Sequence, residues 1–273
     1  MSTVMHWRVD ALRQTLQPLA WPSSELSIEV LAQIGSTNTA LLDRVRGGDA
    51  SPCLLVAEAQ TAGRGRLGRA WWAAPGASLT FSLGLPYAPT DWSGLSLAVG
   101  LAVAEALDPG NAHIGLKWPN DLWLRATAAQ PERKLGGILI ETTTWPGGDV
   151  AARSDEPARR YAVIGVGLNI TQAPGEDAAL RPQFASGHAG VQALDAALEA
   201  PAVLHLVAPA LLRVLRRFEA EGLAPLRTRY QARDALLGRE VQAGDVRGTA
   251  AGIDAQGQLL VQTPASRLSA AGK

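Results

Sequence analysis

The sequence predicts an α+β fold: a mixed sheet flanked by helices, with a small all-β module behind it. Strand-like runs alternate apolar with small or polar residues, as in Leu79, Phe81, Leu83 and Leu85. Helix-like runs carry a single apolar stripe, as in Leu204, Val207, Leu211, Leu215 and Phe218. From Leu237 to Thr263 the chain breaks into short alternating runs separated by Gly238, Gly244, Gly248, Gly252 and Gly257. These patterns divide the 273 residues into an N-terminal helical segment (1–26), a core (27–235) and a C-terminal β module (236–273).

Each element has its own signal. Val9, Leu12, Leu16 and Leu19 before Pro22 predict one short amphipathic helix. Ile28, Val30, Leu31 and Ile34 predict a strand, after which Ser36-Thr37-Asn38 caps a helix carrying Leu41, Leu42 and Val45 that Gly47-Gly48 stops. Strands are expected over 53–59 and 78–85, the second with one face buried. The apolar stretch Leu95 to Leu107 predicts a helix on the sheet. Short strands around 113–117 and 121–124, a turn rich in Pro and Arg, and strands over 135–141 and 162–170 follow. Residues 145–160, rich in Gly, Asp and Arg, predict an exposed linker, and 171–190 a mobile loop near the site. Pro209 either kinks the 204–218 helix or starts it.

Composition narrows the function classes. Lys plus Arg and Asp plus Glu are 25 each, a balance that argues against a dedicated DNA or RNA coat. No stretch approaches the ~18 apolar residues of a membrane span and no signal-peptide pattern opens the chain, so a soluble cytoplasmic protein is expected. The single cysteine, Cys53, begins an apolar run and reads as a buried small hydrophobe. His6, His113, His188 and His205 are scattered without zinc-ligand spacing.

The stretch from Glu58 to Trp72 carries the strongest chemical signal. Arg64, Arg66 and Arg69 are interleaved with Gly63, Gly65 and Gly68, which places cationic forks on a backbone able to wrap an anion, and Trp71 and Trp72 add flat faces. Gly63 to Gly68 spells G-x-G-x-x-G. A dinucleotide fold is nevertheless excluded, because Trp71, Trp72, Pro75 and Gly76 follow instead of a helix and no acidic residue stands near position 80. A Walker phosphate loop is absent as well. Taken alone, the stretch equally suits a solvated turn or a nucleic-acid platform in which the tryptophans stack on bases. Three more clusters put polar groups at the edges of apolar elements: Ser36-Thr37-Asn38, otherwise a plain helix cap; Lys117-Trp118-Pro119-Asn120-Asp121, otherwise a surface ion pair; and Lys134 to Glu141, whose Gly136-Gly137 otherwise marks a bulge. Gly165-Val166-Gly167-Leu168-Asn169 ends an apolar strand with small residues and an amide.

In this order, Ser36-Thr37-Asn38, the Gln60-x-x-Gly63-Arg64-Gly65-Arg66-x-Gly68-Arg69 block, Lys117 to Asp121, Lys134 to Leu139 and Gly165 to Asn169 resemble the biotin protein ligase family over about residues 27–171. That resemblance implies a largely antiparallel sheet in the core and an SH3-like barrel at the C-terminus. It also implies a reaction in two steps: activation of biotin by ATP with Mg²⁺ to biotinyl-5'-AMP, then transfer to a lysine of a biotin carboxyl carrier domain of acetyl-CoA carboxylase or another biotin-dependent carboxylase. By resemblance Ser36, Thr37, Asn38 and Gln60 bind the ureido ring; Arg64, Gly65 and Arg66 close over the carboxylate end; and Lys134 touches the carboxylate and α-phosphate. Arg69 and Lys117 are phosphate contacts, Trp71 stacks on adenine, Asn169 joins the adenylate site, and Asp121 either holds Mg²⁺ or positions the attacking lysine. The Arg/Gly loop is expected to be flexible and to order over the ligand, excluding water from the adenylate. Only 35 residues precede Ser36, fewer than the about 60 of a winged helix-turn-helix, so no DNA partner is expected. The chain ends soon after Ser269-Ala270, which leaves the barrel's last strand open. A monomer or weak homodimer is expected. The rival readings are a lipoate or octanoyl transferase of the same superfamily and a nucleic-acid-binding module.

Overall fold

A computed structural model describes residues 5–21, 25–144, 160–172 and 187–263, and the backbone of 267–270. The expected linker at 145–160 lies almost wholly outside these residues, as does most of the expected loop at 171–190. The core sheet is built from β1 (Ser27–Ile34), β2 (Cys53–Gln60), β3 (Ser78–Tyr87), β4 (Ile114–Lys117), β5 (Asp121–Leu124), β6 (Arg133–Thr144) and β7 (Arg160–Asn169). Their order across the sheet is β1-β2-β3-β7-β6-β5-β4. Only β1 and β2 pair in parallel; every other neighbour is antiparallel. A parallel pair needs a crossover, and α2 (Thr37–Arg46) supplies it.

The two sides of the sheet are covered differently. On one side α1 (Val9–Leu16), α3 (Leu95–Leu107) and α4 (Ala200–Glu221) pack against Leu54, Val56, Leu79, Phe81, Ile164 and Val166. α3 is apolar nearly all round because it lies between the sheet and α4, with Val99, Leu101, Val103 and Ala104 all buried. On the other side α2 brings Leu41, Leu42 and Val45 onto Cys53, Leu55, Tyr161 and Val163. Cys53 is buried there as expected, and burial pushes its thiol up to about 11.

The structure departs from the sequence reading in several elements. β3 is buried on both faces rather than one, since Ser78, Thr80 and Ser82 point into the α2 side and are as enclosed as Leu79 and Phe81. α4 starts at Ala200, with Pro201 in its first turn, and Pro209 lies inside it, so Pro209 does not start the helix. β6 extends beyond the expected 135–141 to Arg133 and Thr144 because its first residues pair with β5 and its end pairs with β7. Gly187 to Ala189 adds a short parallel bridge to Lys134.

The C-terminal module contains β8 (Glu240–Ala243), β9 (Val246–Ile253), β10 (Leu259–Gln262) and β11 (Arg267–Ala270), an antiparallel sheet in the order β11-β10-β9-β8. Ala250, Leu259 and Val261 form its small core. The module is seated on the core at one tight contact. Gly257, at φ +75, is so close that a Cβ there would stand 2.9 Å from Leu97 Cδ1 and 3.0 Å from Leu223 Cδ2. Trp118 Nε1 donates to the Gly257 carbonyl at 3.0 Å. Among the described residues no helix is long and apolar enough to cross a membrane.

Candidate active site

The site lies on the α2 side of the sheet, where three neighbouring positions have no side chain. Alternation along β7 puts Val163, Gly165, Gly167 and Asn169 on this side. Gly167 pairs with Thr80 on one flank and Gly137 on the other, and Gly137 with Asp121. One row nearer the start of β7, Gly165 lies between Ser82 and Leu139. Each glycine is needed for room. A Cβ at Gly165 would stand 2.3 Å from Asn38 Oδ1, and one at Gly167 would stand 2.5 Å from Trp71 Cε2. At Gly137 it would crowd Asp121 Oδ1 (3.3 Å) and Lys134 Nζ (3.5 Å).

Over the Gly165 row stands a neutral hydrogen-bonding cluster. The parallel register pairs Ile34 with Gln60, so the turn into α2 brings Ser36, Thr37 and Asn38 beside the end of β2. Gln60 Oε1 accepts from Thr37 N (2.7 Å) and Thr37 Oγ1 (3.2 Å). The Ser82 hydroxyl joins Thr37 Oγ1 (2.6 Å) and Asn38 Oδ1 (2.5 Å); Asn38 Oδ1 can only accept, so the Ser82 proton points there. Asn38 Nδ2 donates to Leu139 O (3.2 Å) and Glu141 Oε2 (2.9 Å). Ser36 Oγ accepts from Thr39 N at 3.4 Å, so the plain helix cap is real, and its own proton remains a donor for the site.

The Arg/Gly stretch forms a hairpin held by its own backbone hydrogen bonds. Gln60 bridges Ala73 and Arg64 bridges Ala70, Trp71 N donates to Gly63 O (2.9 Å), and Gly65 N donates to Arg69 O (2.7 Å). A one-turn 3₁₀ segment, Arg66–Gly68, forms the tip, with Leu67 at φ 57. Arg64 reaches across to Glu141 at 3.0 Å. Burial lowers the Arg66 pKa and the charge of Asp121 opposes that shift, so this guanidinium faces the next cluster. Arg69 is exposed.

At the Gly137 end, Lys134 Nζ is ion-paired to Asp121 Oδ1 at 2.7 Å, with both side chains about a quarter exposed. Lys117, the cross-strand partner of Asp121 in the β4–β5 hairpin, holds its ammonium 4.0 Å over the Trp123 ring, and Trp123 in turn pairs with Lys134. Trp71 lies against Gly167, and its Nε1 is buried without a hydrogen-bond partner. Asn169 is buried; its Nδ2 donates to Lys134 O at 3.3 Å while its Oδ1 has no partner. Two orphaned polar atoms on one stretch of floor mark where a ligand can satisfy them.

The structure therefore unites most of the sequence-derived residues in two groups: Ser36, Thr37, Asn38, Gln60 and Arg64 in one, Arg66, Asp121, Lys134 and Asn169 in the other. Lys117 borders the second group as the cross-strand neighbour of Asp121, and Arg69 lies exposed on the hairpin. Sequence reading missed Ser82 and the role of Glu141. The signal for Ser82 was the Ser78, Thr80, Ser82 alternation in an otherwise apolar strand; for Glu141 it was a lone carboxylate in an apolar one.

Residues 30–154 match the Biotin/lipoate A/B protein ligase family and residues 236–270 the Biotin protein ligase C terminal domain. The chain is 38% identical over 251 residues to the biotin--[acetyl-CoA-carboxylase] ligase of Mycobacterium tuberculosis, covering 85% of this chain and 82% of that protein. It is 37% identical over 246 residues to the bifunctional ligase/repressor BirA of Escherichia coli, covering 86% and 69%. Its fold superposes on a biotin protein ligase from Aquifex aeolicus in complex with biotin and ATP, with TM-score 0.68 and 23% identity over 89% of this chain and 94% of that one.

Proposed function

This chain belongs to the biotin protein ligase family, and from that premise we infer how its site performs ATP-dependent attachment of biotin to a carboxylase. The observation that carries the reading is the order of groups along β7. Gly165 faces the neutral hydroxyl and amide cluster, Gly167 lies in the row with Asp121 and beside Lys134, and Asn169 offers an unsatisfied carbonyl. Successive positions are two residues apart, roughly 7 Å. Ureido ring, carboxylate with α-phosphate, and adenine follow one another in the same order along biotinyl-5'-AMP.

The chemistry fits each position. The ureido group has one acceptor and two donors, which Ser36, Thr37, Asn38 and Gln60 can match in a site closed by burial. In the first step a biotin carboxylate oxygen attacks the α-phosphorus of ATP and the bond to the β-phosphate oxygen breaks, releasing pyrophosphate. Two anions must meet, so Lys134 and Arg66 lower the barrier by neutralising the charge that builds at phosphorus. Asp121 holds the Lys134 ammonium in place until substrate arrives. Asn169 Oδ1 accepts from the adenine amine, and Trp71 supplies an aromatic wall. In the second step the acceptor lysine amine attacks the acyl carbon, AMP leaves and the amine loses a proton. We place the acceptor lysine on a biotin carboxyl carrier domain of acetyl-CoA carboxylase. Among the described residues no three His, Cys, Asp or Glu side chains converge, and Asp121 is engaged by Lys134, so the donor set does not fit a metal held by the protein. Magnesium then enters as part of the nucleotide substrate.

The test is incubation with biotin, ATP and a carrier domain, following pyrophosphate release and biotin transfer. Lys134→Ala should slow pyrophosphate release by on the order of 100-fold or more. An unchanged rate removes Lys134 from the first step, and preference for octanoate or lipoate over biotin overturns the substrate assignment.

A further inference from the structure

The Ser36-Thr37-Asn38 turn and the Arg/Gly hairpin come from different parts of the chain, yet one side chain holds both. Glu141 lies on β6 two residues beyond Leu139, on the site side of the sheet, and pairs with Val163 in β7. Its Oε2 accepts from Asn38 Nδ2 at 2.9 Å, and its two oxygens receive Arg64 Nη2 at 3.0 and 3.1 Å. Asn38 is thereby held from several sides, and what it keeps for a ligand is the second lone pair of its Oδ1. Its Oδ1 accepts from Ser82, its two Nδ2 hydrogens go to Leu139 O and Glu141, and Gly165 leaves no space behind it.

We propose that Glu141 is a positioning residue that couples the ureido end of the pocket to the placement of the Arg/Gly hairpin. The carboxylate fixes which way the Asn38 amide faces, with nitrogen toward Leu139 O and Glu141 and oxygen toward Ser82, so that an acceptor lone pair rather than an N–H is left for the ring. The same carboxylate neutralises and anchors Arg64 at the edge of the hairpin. A neutral replacement serves the two partners less well, because a carboxamide has a single acceptor oxygen for Asn38 and Arg64 to share and lacks the charge that pairs with the guanidinium. The inference rests on the biotin reading for its effect on binding, but the link to the hairpin exists without ligand.

Two readouts separate these parts. Limited trypsin digestion of the ligand-free enzyme reports on the hairpin, since Arg64, Arg66 and Arg69 are its cleavage points. Glu141→Ala should speed cleavage there severalfold, and Arg64→Ala with Glu141→Ala should protect no less than Arg64→Ala alone. Steady-state pyrophosphate release reports on the pocket. Glu141→Ala should raise the biotin KM roughly tenfold, one hydrogen bond and one partly exposed ion pair being lost, with the ATP KM unchanged. Glu141→Asp, which keeps the charge, should recover part of the loss, and the isosteric Glu141→Gln should keep the fold while losing the Arg64 link. The proposal is overturned by unchanged cleavage together with unchanged biotin KM, or by biotin and ATP KM rising equally in Gln and Ala variants alike. If wild-type enzyme releases no pyrophosphate with biotin, the functional reading fails, while the cleavage result still decides whether Glu141 holds the hairpin.

Discussion

Replacing Gly165 with alanine tests the side-chain-free floor of the site. The added Cβ would stand 2.3 Å from Asn38 Oδ1 and 3.0 Å from Asn38 Cγ. Ordinary contact begins near 3.5 Å, so the amide must retreat by about 1 Å. It cannot do so freely, because Ser82 (2.5 Å), Glu141 (2.9 Å) and Leu139 (3.2 Å) hold it. Losing two of those bonds costs about 1 kcal/mol each, and a binding group misplaced by about 1 Å can cost on the order of 100-fold in rate. In a pyrophosphate-release assay the biotin KM should therefore rise by roughly 30-fold, the equivalent of those two bonds, and kcat should fall as well, while the ATP KM changes by less than about twofold. Gly110→Ala is the control, since nothing lies within 4 Å of its Cβ position. A biotin KM for Gly165→Ala within about threefold of wild type would refute the geometry, because it would mean Asn38 moves without consequence.

Asn169→Ala should raise the ATP KM roughly tenfold and spare the biotin KM, the buried Oδ1 being the group left for the adenine amine; equal effects on both substrates would contradict that placement. Asp108→Asn should destabilise the protein by about 3–5 kcal/mol, because Arg233, 3% exposed, would keep its charge without its partner; chemical denaturation measures this, and a loss below about 1 kcal/mol would rule it out. Burial, then the charge of Lys134, push the His188 imidazole from 6.5 down to about 4. The unfolded chain therefore takes up this proton first as pH falls, so stability is full above about pH 6.5 and declines toward pH 4 by up to about 1.4 kcal/mol per unit. His188→Asn should flatten that slope, and identical slopes would exclude the histidine as its source.

What could be read from sequence was whatever a local pattern encodes. The Ser36 cap, the alternation in β3 and β7 and the apolar run of α3 all depend on neighbours a few residues away, and all were placed correctly. The chemistry followed where residues cluster along the chain, as in the Arg/Gly block. Contacts between distant segments left no such trace. Glu141 meets Asn38 across a separation of 103 residues, and nothing in its local setting announces that partner. Trp71 and Gly167 form another such pair, the indole packing against β7 in a contact that nothing local in the chain announces. Lys117, a phosphate contact by its motif, stands opposite Asp121 with its ammonium over Trp123, an arrangement fixed by register that spacing along the chain does not announce. The start of α4 was missed for a different reason. Pro201 is a first-turn signal, but the regular apolar stripe begins only downstream of it, at Leu204.

The seat of Gly257 between Leu97 and Leu223, with the Trp118 indole clasping its carbonyl, bears on how the enzyme can be trimmed. A chain cut after residue 235 would uncover two leucines now only 4% and 5% exposed, together with the edge of the tryptophan that precedes the Asn120-Asp121 corner. The result would be a sticky patch at the base of the very hairpin that carries Asp121. The terminal sheet thus serves the reaction centre as a clamp from behind, and a minimal ligase lacking it would sacrifice solubility and the set of that corner together.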